Sequence, residues 1–250
     1  MRRSHLPASC VKDGLLSVIV PAYNEAERLG PTLEKILAWA NLQQFATEVL
    51  VVDDGSTDDT LDVAQLPDPR IRVLSNGTNR GKGYSVRHGV LESRGDYILF
   101  SDADLSTPIG EYSRLASALA FSNIAIGSRA VDRSKVTQRQ PLYREAMGRT
   151  FNRIVQVLAV GGISDTQCGF KLFEGSVARE LFADVTVEGF AFDVEVLFLA
   201  RKRGFKIVEV PVLWANDERT HVHAVYHSLA MLRDVALLRW RHSRFQNGRT

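Results

Sequence analysis

Four short apolar runs, each followed by a segment with helical spacing, occupy the N-terminal part of the chain, and this alternation restricts the architecture. Residues 15–20, 48–52, 71–74 and 97–100 read as strands. Between them, residues 26–42 place Leu29, Leu33, Ile36 and Leu37 on one side of a helix. Residues 58–65 form a second helix, with Ser56 or Thr57 as its cap, and residues 81–93 a third. Strand and helix in alternation imply βαβ units, so the expected class is α/β, with a mostly parallel central sheet and helices on both faces.

The C-terminal half is less regular. Residues 109–121, 141–160, 192–203 and 226–244 have helical patterns, and residues 124–126 and 205–212 read as strands. Residues 131–140 are polar and turn-like, a candidate mobile loop. The expected organisation is an N-terminal tail over residues 1–14, one α/β domain over 15–222, and a basic amphipathic helix with its tail over 223–250.

Composition removes several classes of function. A net charge of +2 over 250 residues gives no reason to expect a nucleic-acid partner. Cys10 and Cys168 are too few and too far apart for a disulfide framework or a structural zinc site, which fits a reducing compartment. Residues 1–14 carry Arg2 and Arg3 without an apolar core, so they do not read as a secretory signal. No apolar run approaches the roughly 18 residues that a membrane-spanning helix needs.

The chemistry gathers where strands end. Asp102 and Asp104 follow the strand at 97–100, and on an extended backbone residues two apart point to the same side. Such a pair suits Mg²⁺ or Mn²⁺, which prefer oxygen ligands and keep positions open for phosphates; alternatively, the aspartates cap the next helix. Tyr23 either covers a base or belongs to the core. Asp53 or Asp54 either accepts from a base or ribose, or charges a helix start. Arg129 offers a planar fork for phosphate, or forms a surface ion pair.

Together, Val20-Pro21-Ala22-Tyr23-Asn24-Glu25, Val51-Val52-Asp53-Asp54-Gly55-Ser56, Asn79-Arg80-Gly81-Lys82-Gly83, Asp102-Ala103-Asp104 and Gly127-Ser128-Arg129 resemble the family 2 glycosyltransferases of GT-A fold. Asp165-Thr166-Gln167-Cys168-Gly169-Phe170-Lys171-Leu172-Phe173 and Phe190-Ala191-Phe192-Asp193-Val194-Glu195 look like the dolichyl-phosphate β-glucosyltransferase branch. The resemblance implies a Rossmann-like GT-A catalytic domain that uses a UDP-sugar donor, UDP-glucose in this branch, a polyprenyl-phosphate acceptor and Mg²⁺ or Mn²⁺. It implies that Pro21, Tyr23, Glu25, Val52 and Asp54 line the nucleotide pocket and that Asp102, Ala103 and Asp104 meet the nucleotide sugar. The metal falls to Asp102 and Asp104. Arg129 and Arg144 match arginines that hold the acceptor phosphate, although Arg144 also reads as an ordinary surface charge.

Two positions depart from the relatives. Ser106 stands where mannosyl members have a Gln ligand, and His221 where a phosphate-binding Lys is common. Asp193 and Glu195 either supply a base for a hydroxyl acceptor or orient the arginines. The P-loop reading of residues 77–83 fails on glycine spacing and on the missing Ser or Thr after Lys82. His221, His223 and His227 lack a supporting zinc pattern. Cys168 reads as a buried thiol. The remaining alternatives are a GDP-mannose donor, a hydroxyl acceptor, or a nucleotide-sugar-binding module without turnover.

The helix at 226–244 places Leu229, Leu232, Val235 and Ala236 on one side and carries Arg233, Arg239, Arg241 and Arg244. This pattern suits an anionic membrane surface, with the protein peripheral at the cytoplasmic face, or simple packing on the catalytic domain.

Overall fold

The computed structural model describes residues 14–138, 142–216 and 224–243, without the side chains of 142–147, 149 and 224–230. Expectations that fall on Cys10, His221, His223 or Arg244, and on the side chains of Arg144, His227 and Leu229, lie outside the described residues. The elements run β1 (Leu15–Ala22), α1 (Ala26–Ala40), β2 (Ala46–Asp53), α2 (Thr60–Ala64), β3 (Ile71–Ser75), α3 (Lys82–Glu92) and β4 (Tyr97–Ser101). Then come α4 (Tyr112–Leu119), β5 (Ile124–Ser128), β6 (Val136–Gln138), α5 (Leu142–Leu158), β7 (Phe170–Glu174) and α6 (Gly175–Ala183). The last are α7 (Phe192–Lys202), β8 (Ile207–Pro211), β9 (Trp214–Ala215) and α8 (Ala224–Arg241).

Among the described residues, seven strands form the central sheet in the order β3-β2-β1-β4-β7-β5-β8. The first four are parallel to one another, β7 is antiparallel to both β4 and β5, and β5 is parallel to β8. The α/β expectation therefore holds, with one inserted antiparallel strand.

Side-chain alternation along each strand divides the core in two. Ile19, Leu50, Val52, Ile98, Phe100 and Phe173 join Val86 and Val90 of α3 and the buried residues of α5, α6, α7 and α8 on one face. Val18, Val49, Val51, Leu99 and Leu172 meet Leu29, Leu33 and Ile36 of α1 and Leu115 of α4 on the other. Burial on both faces explains why the strands read as continuous apolar runs. Each such Leu or Ile contributes about 1.5–3 kcal/mol by leaving water.

Three local expectations change. Residues 131–140 are not simply a loop: Val136–Gln138 is a strand paired in parallel with Trp214–Ala215. The second helix starts at Thr60, because the Ser56 N–H is taken by Asp53, the Thr57 N–H by Asn24 Oδ1, and the Thr60 N–H by Asp58. The apolar side of α8 turns inward, with Met231, Val235 and Leu238 buried and Ala236 exposed.

Candidate active site

β2, β1 and β4 are parallel neighbours, so their carboxyl ends share one edge of the sheet. The chain leaves β1 toward β2 and β3, then returns on the other side of β1 as β4. That reversal opens the crevice in which α/β sheets bind ligands.

β4 stops at Ser101, so Asp102 and Asp104 are not brought together by strand alternation. A turn does it: the Leu105 N–H donates to Asp102 O at 3.2 Å, and Leu105 takes a φ of +46°. Such a conformation in a branched residue is strained and needs support. Support comes from the Ser106 N–H donating to Asp104 Oδ1 at 2.9 Å and from Thr32 Oγ1 of α1 donating to Ala103 O at 2.6 Å. Burial raises the Asp104 carboxyl pKa, the Asp102 charge adds to it, and Ser106 and Lys82 oppose.

Asp102 lies against the backbone of Gly169, whose carbonyl accepts from the Asp102 N–H at 3.1 Å. A Cβ at Gly169 would stand 1.9 Å from Asp102 Oδ2, so this cradle exists only with glycine. Asp102 Oδ1 is buried and accepts no well-aligned hydrogen bond; its neighbour is the Lys82 ammonium at 2.6 Å.

Lys82 opens α3 and is placed by backbone constraint. Gly81 has a φ of +107°, and a Cβ there would meet Glu188 O at 2.5 Å. The Gly83 and Tyr84 N–H groups donate to that same carbonyl. Asp54 holds the preceding turn, accepting from the Arg80 and Gly81 N–H groups at 3.0 and 2.8 Å and from Asn76 Nδ2 at 2.7 Å. The Lys82 ammonium lies 5.3 Å from the Phe100 ring centre and 5.9 Å from that of Phe190. Burial alone would lower its pKa; Asp102, Asp193 and Asp104 together lift it above the ordinary lysine value.

Arg129 follows β5 and pairs with Asp165 through two parallel bonds, Nε to Oδ2 at 2.7 Å and Nη2 to Oδ1 at 2.8 Å. Its own N–H donates to Asp165 Oδ2 at 2.9 Å. The Arg129 side chain is 30% exposed, with its guanidinium 5.4 Å from the Trp214 ring centre. Burial opposes its charge, and Asp165 more than compensates. Asp165 is oriented in turn by Glu209, which accepts its N–H. Beneath the site, buried Lys171 donates to Asp193 Oδ1 at 2.5 Å and to Cys168 O at 2.7 Å.

The other predicted residues fall as follows. Tyr23 is 44% exposed, so it is not core. Asn24 beside it has a φ of +54° and ties this loop to the next through Ser56 and Thr57. Glu25 stands at the N-cap position of α1 without a side-chain cap bond, and its carboxylate pairs with Arg28 at 2.6 Å. Pro21 is half-buried in register with Val52, whose side chain is wholly in the core, so only the Val52 backbone reaches the edge. Asp53 is buried and accepts from the Gly55 and Ser56 N–H groups. Arg144 lies at the start of α5.

Asp193 and Glu195 do not orient Arg129, whose partner is Asp165. Asp193 holds Lys171, and Glu195 accepts from Thr186, the Val187 N–H and His242. Cys168 is a free thiol in the core, and burial pushes its pKa up to about 12. Sequence reasoning passed over Lys82, Asp165, Lys171 and Asp193 as a connected group; their signal lay in the motifs at 79–83, 165–173 and 190–195.

The donor set fits a hard divalent cation that completes its shell with substrate oxygens. It offers two adjacent carboxylates, one of them already facing the Lys82 ammonium, and the described residues contain no group of three or more His, Cys, Asp or Glu side chains that could hold a metal ion, which leaves the other positions to substrate oxygens.

Residues 17–182 match the family model for glycosyl transferase family 2. The chain belongs to glycosyl transferase family 2. This glycosyltransferase is 40% identical over 240 positions to the dolichyl-phosphate beta-glucosyltransferase of Drosophila melanogaster, covering 89% of this chain and 74% of that one. It is 37% identical over 245 positions to the Homo sapiens protein of the same name, covering 91% and 75%. Among solved structures, mannosyl-3-phosphoglycerate synthase from Rubrobacter xylanophilus aligns with a TM-score of 0.70 at 20% identity, over 95% of this chain and 77% of that one. Glucosyl-3-phosphoglycerate synthase from Mycobacterium tuberculosis, in complex with Mn²⁺, UDP and glucosyl-3-phosphoglycerate, aligns at 0.68 and 21% identity, over 94% and 81%. The fold is therefore GT-A.

The Gly169 cradle gives a direct test of the geometry. Gly169→Ala is expected to push Asp102 aside and lower the transfer rate about a hundredfold, the scale of a misplacement near 1 Å. Steady-state kinetics beside a thermal melt would show it; unchanged kinetics would mean that the position of Asp102 does not matter.

Proposed function

We propose that this glycosyltransferase moves glucose from UDP-glucose to a polyprenyl phosphate, with inversion and with dependence on Mg²⁺ or Mn²⁺. The observation that carries the reading is the pairing, on one sheet edge, of two adjacent carboxylates with an anchored lysine and a clamped arginine. Such a site can hold an anionic acceptor beside an anionic donor. The names of the relatives point to the sugar and the lipid.

Tyr23, Glu25, Asp54 and the backbone of Pro21 and Val52 form the nucleotide side of the pocket, and Ala103 sits between the carboxylates with its carbonyl held by Thr32. Asp102 and Asp104 would hold the cation, which supplies positive charge to the departing diphosphate. Arg129 and Arg144 hold the acceptor phosphate, with His221 as a further contact. A phosphate monoester has a second pKa near 6 and is largely ionised at neutral pH, so it attacks without a general base. The neighbouring carboxylates fit this scheme: Asp193 is engaged by Lys171 and Asp165 by Arg129, which makes both poor bases for a hydroxyl acceptor. Residues 15–222 form the catalytic domain, and residues 223–250 the helical extension. The donor is tested by offering UDP-glucose and GDP-mannose with one polyprenyl phosphate. Glucosyl lipid is the expected product, and mannosyl lipid alone would overturn the choice of donor.

The acceptor's tail requires a membrane surface. Among the described residues, no helix is long and apolar enough to cross one. We place the protein peripherally at a cytoplasmic face, docked through the outer side of α8. Trp240 is 75% exposed there, beside exposed Leu237, Arg233 and Arg239. An interfacial Trp with flanking arginines suits anionic headgroups. Each basic residue near such a surface contributes roughly 1 kcal/mol, less in salt. Arg233→Gln with Arg239→Gln and Trp240→Ala is expected to cut sedimentation with anionic liposomes at least tenfold, whereas Arg241→Gln matters less: both Arg233 and Arg241 pair with Asp234, but the Arg241 side chain is only 29% exposed against 73% for Arg233. Undiminished sedimentation of the triple variant would move the docking surface elsewhere.

A further inference from the structure

The Lys82 ammonium lies 2.6 Å from the buried Oδ1 of Asp102, and its placement is built rather than incidental. Glycines on either side press α3 against Val187 and Glu188: a Cβ at Gly83 would stand 2.4 Å from Val187 O, and one at Gly81 2.5 Å from Glu188 O. Asp54 fixes the turn before it through two backbone N–H groups. The rings of Phe100 and Phe190 flank the ammonium. The nearby Asp193 carries Lys171 on its Oδ1, whereas the ion pair of Lys82 is with Asp102.

Charge balance gives this contact a consequence. Among the described residues, the Asp102 and Asp104 carboxylates and the Lys82 ammonium sum to one negative charge. A divalent cation arriving alone would reverse that sign and stand against the ammonium, with no third metal-ligating side chain among the described residues to hold it. A cation arriving with a diphosphate ester, which carries two negative charges, restores the original balance. The diphosphate oxygens also complete the cation's shell and offer the lysine, on its flexible stem, a new anion.

We infer that Lys82 is the resident counter-ion of the carboxylate pair: it keeps a divalent cation weakly bound until a nucleoside diphosphate is present, and then moves from Asp102 to that diphosphate. This rests on the proposed donor site and makes Lys82 the residue that couples metal binding to donor binding. Since the coupling is thermodynamic, the factor by which UDP tightens the metal is the factor by which the metal tightens UDP.

The test uses Mn²⁺ and UDP as probes, with Mn²⁺ binding followed by electron paramagnetic resonance and calorimetry. In the wild-type protein, saturating UDP is expected to tighten Mn²⁺ at least about tenfold. In Lys82→Met, which keeps the stem and removes the charge, Mn²⁺ alone is expected to bind at least about tenfold more tightly than to the wild type. UDP without metal is expected to bind more weakly, and the coupling factor to shrink. Lys82→Gln provides a second, polar replacement, and thermal melts confirm folding of both. A folded variant that binds Mn²⁺ alone no better than the wild type overturns the inference. So does a wild-type protein whose Mn²⁺ affinity ignores UDP, a result that needs no variant. These are binding measurements, so a failure to glucosylate lipid phosphate would overturn the proposed reaction and not the role of Lys82.

Discussion

Asp104→Asn is expected to abolish transfer, lowering the rate about a thousandfold or more, while leaving the fold intact. The asparagine carbonyl can still accept from the Ser106 N–H, so the turn at 102–106 keeps its support. What disappears is one of the two negative charges that would hold a cation against the diphosphate, a contribution of several kcal/mol to the transition state. The same change relieves the protein of a costly charge, because burial and the Asp102 carboxylate both disfavour ionised Asp104. Stability should therefore be unchanged or slightly higher, as expected when a poorly solvated charge is neutralised. Transfer rates measured beside melting curves check both halves. Substantial activity in the variant, or in wild-type protein with excess chelator, would remove the metal from the account.

Arg129→Lys should cost on the order of 2–4 kcal/mol in transfer to lipid phosphate and little in UDP affinity. A lysine keeps the charge but cannot bridge both Asp165 oxygens as the guanidinium fork does. Arg129→Ala is harsher, because it strands Asp165, 6% exposed, without its partner, and removing one member of such a pair typically destabilises by about 3–5 kcal/mol. The lysine variant thus separates acceptor binding from folding. Arg144→Ala should show the same division between lipid transfer and UDP affinity. An equal loss of UDP affinity would place these arginines on the donor side.

Much of this was legible in the sequence because local signals and tertiary structure agree. The apolar runs that end at Ala22, Asp53 and Ser101 are strands, and their order places Asp54 and Asp102 on one edge. Strand β7 was harder to read, since Phe170-Lys171-Leu172-Phe173-Glu174 breaks its apolar run with a lysine. Only the structure shows that Lys171 is buried because Asp193, more than 20 residues away in the chain, meets it. The convergence of Asp102 and Asp104 was expected for the wrong geometric reason, since a turn at Leu105 rather than strand alternation joins them. Lys82 on Asp102 and Arg129 on Asp165 are long-range pairs that neither spacing nor periodicity encodes. The apolar stripe of α8 was visible, but a stripe does not say whether it faces core or lipid; Met231, Val235 and Leu238 answer for the core, leaving Trp240 outward.

Whether this sheet edge joins a nucleotide sugar to a lipid phosphate is read from UDP release from UDP-glucose in the presence and absence of a short polyprenyl phosphate. Release is expected to depend on both the lipid phosphate and Mg²⁺ or Mn²⁺, with glucosyl lipid formed in equal amount. UDP release at the same rate without the acceptor, or none with it, would mean that lipid phosphate is not the acceptor.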